Sequence, residues 1–162
     1  MKTLVIIRHA KAEQVFTTND FERGLTERGK ADAPEMAKRL KKKVDIDAFI
    51  SSPARRTKKT AGYFCKAYDK DEDDLILVTA LYQASPNTFF DVVSQIDDKY
   101  DTAAVFGHNP GITNFAGELV PDSAPENMPT CSMFAVKAPI KHWSEFKDVK
   151  KEFLFFDIPK GN

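Results

Sequence analysis

The chain predicts an α/β fold in three layers, with a mostly parallel central sheet and helices on both faces. Three observations lead there. Stretches with strand character alternate with stretches of helical period over most of the 162 residues. The runs Leu4-Val5-Ile6-Ile7 and Ala103-Ala104-Val105-Phe106 are apolar at every position, which suits strands covered on both sides. No repeat, linker or low-complexity tract breaks the sequence, so residues 1–162 read as one domain of ordinary size.

The first strand, Leu4 to Ile7, ends abruptly at the polar pair Arg8-His9. Residues 11–24 read as a loop. Thr26 can cap a helix reaching Lys43, with Ala33, Met36, Ala37 and Leu40 facing inward. Pro34 should kink this helix or mark its true start. Lys41-Lys42-Lys43 suits a helix C-terminus, where cations oppose the dipole. Ile46 to Ile50 is the second strand. Ser51-Ser52-Pro53 opens a helix to Tyr68, since proline is favoured near a helix start. Residues 69–74 are acidic and read as a solvated loop. Leu75 to Val78 is a third strand. Phe89, Phe90, Val93 and Ile96 mark a helix over 87–96. Thr102 to Phe106 is a fourth strand, and a helix runs from Pro110 to Leu119. Residues 121–129 form a proline-bearing loop. Strands over 132–137 and 153–156 close the chain, and the phenylalanines of the last one read as core rather than as a dimer contact.

Composition removes several classes of function. Hydrophobic residues are 42% and charged residues 30%, a globular balance. With 24 basic and 24 acidic side chains, no global field draws the protein to nucleic acid or to a membrane surface. An anionic ligand must therefore be caught by local positive charge. The two cysteines make no disulfide framework, and Cys65 is in phase with the apolar stripe of its helix. No His or Cys cluster has zinc spacing. No signal-peptide pattern and no run of transmembrane length appear, so the expected home is cytoplasmic.

Ligands of such sheets bind beyond the carboxyl ends of the strands. Three of these ends carry Arg8-His9, the stretch Ser52 to Arg56, and His108. Each is a weak signal alone; their expected convergence makes a site for an anion.

These residues also carry a resemblance. Leu4-Val5-Ile6-Ile7-Arg8-His9-Ala10 resembles the Arg-His-Gly signature of the histidine phosphatase superfamily, the phosphoglycerate mutase-like proteins. Ser52-Pro53-Ala54-Arg55-Arg56-Thr57-Lys58-Lys59-Thr60-Ala61 resembles its second motif, and Gly107-His108-Asn109-Pro110-Gly111 its third. The order is right. Ala10 departs from the usual Gly, but Arg8-His9-Ala10-Lys11-Ala12 and Arg23-Gly24-Leu25-Thr26 are similar to the small, lid-less SixA-like phosphohistidine phosphatases.

The resemblance implies a metal-independent, cofactor-free phosphatase. His9 attacks phosphorus and forms a phosphohistidine intermediate. Arg8 and Arg56 grip phosphoryl oxygens. His108 stands beside them as a further donor. Arg56 is preferred to Arg55 because it keeps the motif's register and shares a helix face with Thr60. Arg23 could reach the pocket from the first loop. Ser52 either bonds to phosphate or caps its helix, and capping is the simpler reading. Asn109 is expected to cap the helix that begins at Pro110. His142 and Asp91 read as surface residues.

Many phosphoester-cleaving relatives carry a carboxylic acid after the third strand or directly after the second His. Here those places read Leu81-Tyr82-Gln83-Ala84-Ser85 and Asn109. An alkoxide leaving group needs that proton; a phosphorylated imidazole needs it less. The missing acid and the missing lid favour a phosphohistidine-bearing partner protein. The alternatives are a small phosphorylated substrate, cleaved by a phosphomonoesterase of the same superfamily, and a non-catalytic phosphate-binding module.

Overall fold

The continuous apolar run at the N-terminus forms β1 (Lys2–Arg8), and its lack of alternation has a simple cause. Leu4 and Ile6 belong to one buried apolar cluster, Val5 and Ile7 to another, one on each face of the sheet. The computed structural model describes residues 1–15 and 18–161; Phe16 and Thr17 of the predicted first loop, and Asn162, lie outside the described residues.

The other strands are β2 (Ala48–Ser51), β3 (Ile76–Leu77), β4 (Thr102–Gly107), β5 (Met133–Ala138) and β6 (Glu152–Asp157). They form one six-stranded sheet in the order β3-β2-β4-β1-β5-β6. The pairs β3/β2, β2/β4 and β4/β1 are parallel; β1/β5 and β5/β6 are antiparallel. The helices are α1 (Glu27–Lys43), α2 (Arg55–Ala67), α3 (Pro86–Ser94) and α4 (Gly111–Leu119). Met36, Leu40, Phe64 and Cys65 of α1 and α2 join Val5 and Ile7, while Phe89, Val93 and Phe115 of α3 and α4 join Leu4 and Ile6. The predicted three layers follow. Among the described residues, no helix is long and apolar enough to cross a membrane.

Several local expectations need correction. Thr26 does cap α1, accepting from the Gly29 amide, but the helix neither starts nor stops at Pro34. The proline removes one N–H, the one that would reach Lys30; buried Ala33, Met36, Ala37 and Leu40 hold the helix through it. Helix α2 begins at Arg55 with Ala54 at its cap position and no side-chain cap, so Ser52 is not its cap. The acidic 69–74 stretch includes a short 3₁₀ turn, Glu72–Asp74. Strand β6 lies at the sheet edge. Glu152 and Leu154 are exposed, and Phe153 and Phe156 set their rings against Phe134 from a half-buried strand rather than from the core.

Two features of this frame position the candidate site. Strands β2, β4 and β1 are adjacent and parallel, with Ser51 beside Phe106 and Arg8 beside Gly107, so their carboxyl ends stop at one level. At Gly111 the backbone of α4 comes so close to the turn before α3 that a Cβ would stand 1.8 Å from the Ala84 carbonyl oxygen. Only glycine allows that approach, which brings residues 82–84 alongside the β4 exit.

Candidate active site

His9 is the first residue after β1. Its Nδ1 lies 2.7 Å from the Ala10 carbonyl oxygen, which can only accept, so Nδ1 carries the ring proton and Nε2 keeps its lone pair. The ring is 7% exposed. Burial lowers its pKa to about 3; the Ala10 hydrogen bond opposes the shift, and His108, Arg56 and Arg8 push it further. Near neutral pH the imidazole is uncharged.

Arg56, at the start of α2, is 5% exposed. Its Nε donates to His9 Nε2 at 3.3 Å, and its Nη2 lies 3.2 Å from His108 Nδ1. Arg55, one residue earlier, is exposed and reaches no closer than 3.4 Å to the Glu22 carbonyl. Helical geometry thus separates the two arginines as their register predicts. Thr60, one turn beyond Arg56, donates to the Arg56 carbonyl at 2.8 Å and accepts from the Ala10 amide at 2.9 Å.

His108 follows β4, with its ring centroid 5.3 Å from that of His9. A guanidinium can only donate, so His108 Nδ1 accepts from Arg56 and Nε2 bears the proton. That Nε2 lies 2.8 Å from Ser52 Oγ and 3.3 Å from Thr57 Oγ1. Burial first, then the charge of Arg56, lowers its pKa to about 4. In this arrangement both ring nitrogens are engaged, so donation to a ligand requires His108 to change partner. Ser52, expected to cap a helix, instead fixes this ring. Asn109, also expected to cap, does something else. Its Oδ1 accepts from Thr113 Oγ1 at 2.6 Å while its Nδ2 donates to Asn127 Oδ1 and the Met128 carbonyl, and the cap position of α4 is Pro110.

A cleft of about 440 Å³ lies over these groups, and its lining includes Arg8, Arg23, Lys11, Asp20, Gln83, Asn109 and Thr130 beside His9, Arg56 and His108. Arg8 donates from Nη1 to the Met128 carbonyl, while its buried Nε has no hydrogen-bond partner. Burial, then repulsion from Arg56, lowers the Arg8 pKa. Cys131, in a left-handed conformation, sends its amide to the Arg8 and His9 carbonyls and fixes the β1 exit. Among the described residues, no group of three or more His, Cys, Asp or Glu could hold a metal ion.

Sequence reading missed Asp20, Tyr82 and Gln83. Asp20 brings a carboxylate into a cleft where none was expected. Its Oδ1 accepts from Arg23 Nε and Nη2, its Oδ2 from Arg56 Nη2 at 3.1 Å and Tyr82 OH at 2.6 Å. The hydrogen bond from Tyr82, then those from Arg23 and Arg56, hold its carboxyl far below the usual carboxylate range. Asp20 sits outside the motifs, three residues before Arg23, and only the folded loop reveals its position. Gln83 reaches the cleft through a left-handed turn.

The depressed imidazoles make acid stability a test of their burial. Between about pH 6.5 and about pH 4 both rings stay neutral when folded but gain protons when unfolded, so stability falls as pH falls through that window. Going from pH 7 to pH 5 should cost roughly 1–2 kcal/mol for each imidazole. Urea unfolding at the two pH values measures it. His9→Ala should lose less than the parent protein, and an identical loss in both would remove His9 as the cause.

Residues 4–78 match the sequence model of the histidine phosphatase superfamily (branch 1), a stretch that holds His9 and Arg56 and stops before His108. No curated protein matches the chain in sequence. Among solved structures, the putative phosphohistidine phosphatases SixA of Nakamurella multipartitia and Agrobacterium tumefaciens share the fold. The first has a TM-score of 0.83 and 20% identity, over 99% of this chain and 97% of that one; the second has 0.81 and 21%, over 98% of each. A protein histidine phosphatase SixA complexed with tungstate follows at 0.79 and 20%, over 95% of each chain. Residues 4–78 thus carry the sequence pattern of that superfamily, and the chain as a whole shares the phosphoglycerate mutase-like fold of these structures.

Proposed function

We propose that the protein is a phosphatase that works through a phosphohistidine on His9, and that it acts on phosphohistidine carried by a partner protein. One observation carries the reading: a neutral imidazole, with its Nδ1 proton fixed on the Ala10 carbonyl, turns Nε2 into the cleft lined by Arg8, Arg56 and Arg23, where its lone pair accepts from Arg56 Nε and must leave that donor to attack. The Nε2 lone pair attacks phosphorus, and the bond from phosphorus to the leaving nitrogen breaks. The departing imidazole takes that electron pair and draws a proton from solvent. His9 keeps its Nδ1 proton, so the phosphorylated ring is cationic and its N–P bond labile. Water then attacks phosphorus, the N–P bond breaks, and phosphate leaves. Arg8 and Arg56 stabilise the equatorial oxygens. Both guanidiniums line the cleft into which His9 Nε2 faces.

Three features favour a phosphoramidate over a phosphoester. Gln83, not a carboxylic acid, lines the cleft after β3, and Asn109 follows His108. Asp20 is in the cleft but is held ionised and has no proton to give. The SixA structures that share the fold carry phosphohistidine phosphatase in their names. A panel decides the matter: phosphohistidine peptide, aryl phosphate and sugar phosphate, each with and without a chelator. Phosphohistidine should be cleaved at least about tenfold more efficiently than either ester, and chelation should change nothing. Preference for the sugar phosphate would turn the reading to a small-molecule phosphomonoesterase, and loss of turnover in chelator would bring in a metal.

A further inference from the structure

Of the residues lining the cleft, Asp20 is the one acid among those described, and its carboxylate accepts from two of the guanidiniums that an anion would need. Four hydrogen bonds leave the Arg56 guanidinium, and two end on Asp20: Nη1 on its carbonyl oxygen at 2.8 Å, Nη2 on its carboxylate at 3.1 Å. Arg23 is held by the same carboxylate at 2.8 Å through Nη2 and 3.0 Å through Nε. Tyr82 fixes the other oxygen, and its ring stands edge-on both to Phe21, the next residue, and to His108. Both carboxylate oxygens are therefore satisfied by donors of the site itself.

Two simpler roles fit poorly. A proton donor must carry a proton, and this carboxyl is ionised throughout the neutral range. An ion pair kept for stability alone would contribute little here, because the Asp20 side chain is 45% exposed.

We propose that Asp20 is a resident competitor for the phosphoryl seat: its single negative charge occupies Arg56 and Arg23 until a doubly charged terminal phosphoryl group displaces it. A dianion gains more from two guanidiniums than a carboxylate does, so it wins the exchange; a singly charged anion gains no such advantage. The same competition acts on product. Inorganic phosphate must hold its place against Asp20, which lowers its affinity and hastens its departure. The inference rests on the phosphoryl site proposed above and adds to it a residue that sets which anions enter and how readily phosphate leaves.

The test is calorimetric titration of inorganic phosphate into the intact wild-type protein, Asp20→Asn and Tyr82→Phe, each checked for folding by circular dichroism. Asp20→Asn keeps the shape and removes the charge. It should bind phosphate about tenfold more tightly, the scale for deleting one charge beside two guanidiniums in a partly solvated cleft. Tyr82→Phe, which loosens the carboxylate, should move affinity the same way by a smaller factor and stands in if Asp20→Asn does not fold. In steady state, Asp20→Asn should lower KM and the inhibition constant of phosphate together, without abolishing kcat. Unchanged or weaker phosphate binding in both variants, with the wild type still binding, overturns the competitor and leaves the anion site standing. Absence of phosphate binding in all three proteins overturns the site and this inference with it.

Discussion

Replacing His9 with Ala is expected to reduce phosphohistidine hydrolysis by at least about 10³-fold, because the only proposed acceptor of the phosphoryl group disappears. The remaining guanidiniums would still bind the substrate, so KM should change far less than kcat. Stability should shift by no more than about 1 kcal/mol. The ring contributes to neither apolar cluster, and its loss opens space onto the cleft, where water can enter. Two measurements check the expectation. Single turnover with ³²P-labelled substrate should leave an acid-labile, base-stable label on the parent protein and none on the variant. Unchanged turnover in a folded His9→Ala protein would remove the imidazole from the chemistry.

Arg56→Lys should cost about 10²-fold in kcat/KM, although charge is conserved. The guanidinium spans four partners: His9 Nε2, His108 Nδ1, and the carbonyl and carboxylate of Asp20. A lysine ammonium is one point with three donors and cannot bridge two imidazoles and a loop. Exogenous guanidinium should restore part of the activity of Arg56→Ala but none of His9→Ala. Wild-type activity in Arg56→Lys would show that positive charge suffices and that the planar fork does not matter.

The sheet was legible because both-sided burial leaves a plain mark, as in Leu4 to Ile7, where each residue belongs to one apolar cluster or the other. Arg56 could be chosen over Arg55 because it keeps the register of the resembled motif and shares a helix face with Thr60. Other features left no such mark. Ser52 precedes a proline and looks like a cap, yet its hydroxyl serves a histidine 56 residues away, a contact that no local pattern encodes. Pro34 reads as a break, but buried neighbours on its helix override the lost hydrogen bond. Asp20 sits in a loop whose path is set by tertiary contacts with Arg56 and Tyr82, so its arrival in the cleft could not be read from spacing.

The Thr60 hydroxyl ties the exit of β1 to the first turns of α2, accepting from Ala10 and donating to the Arg56 carbonyl. One oxygen thereby joins the backbone beneath the His9 imidazole to the backbone beneath the Arg56 guanidinium. A displacement of either strand exit or helix start is thereby passed to the other through a single hydroxyl, so the spacing of imidazole and guanidinium depends on one side chain that touches neither ring nor fork.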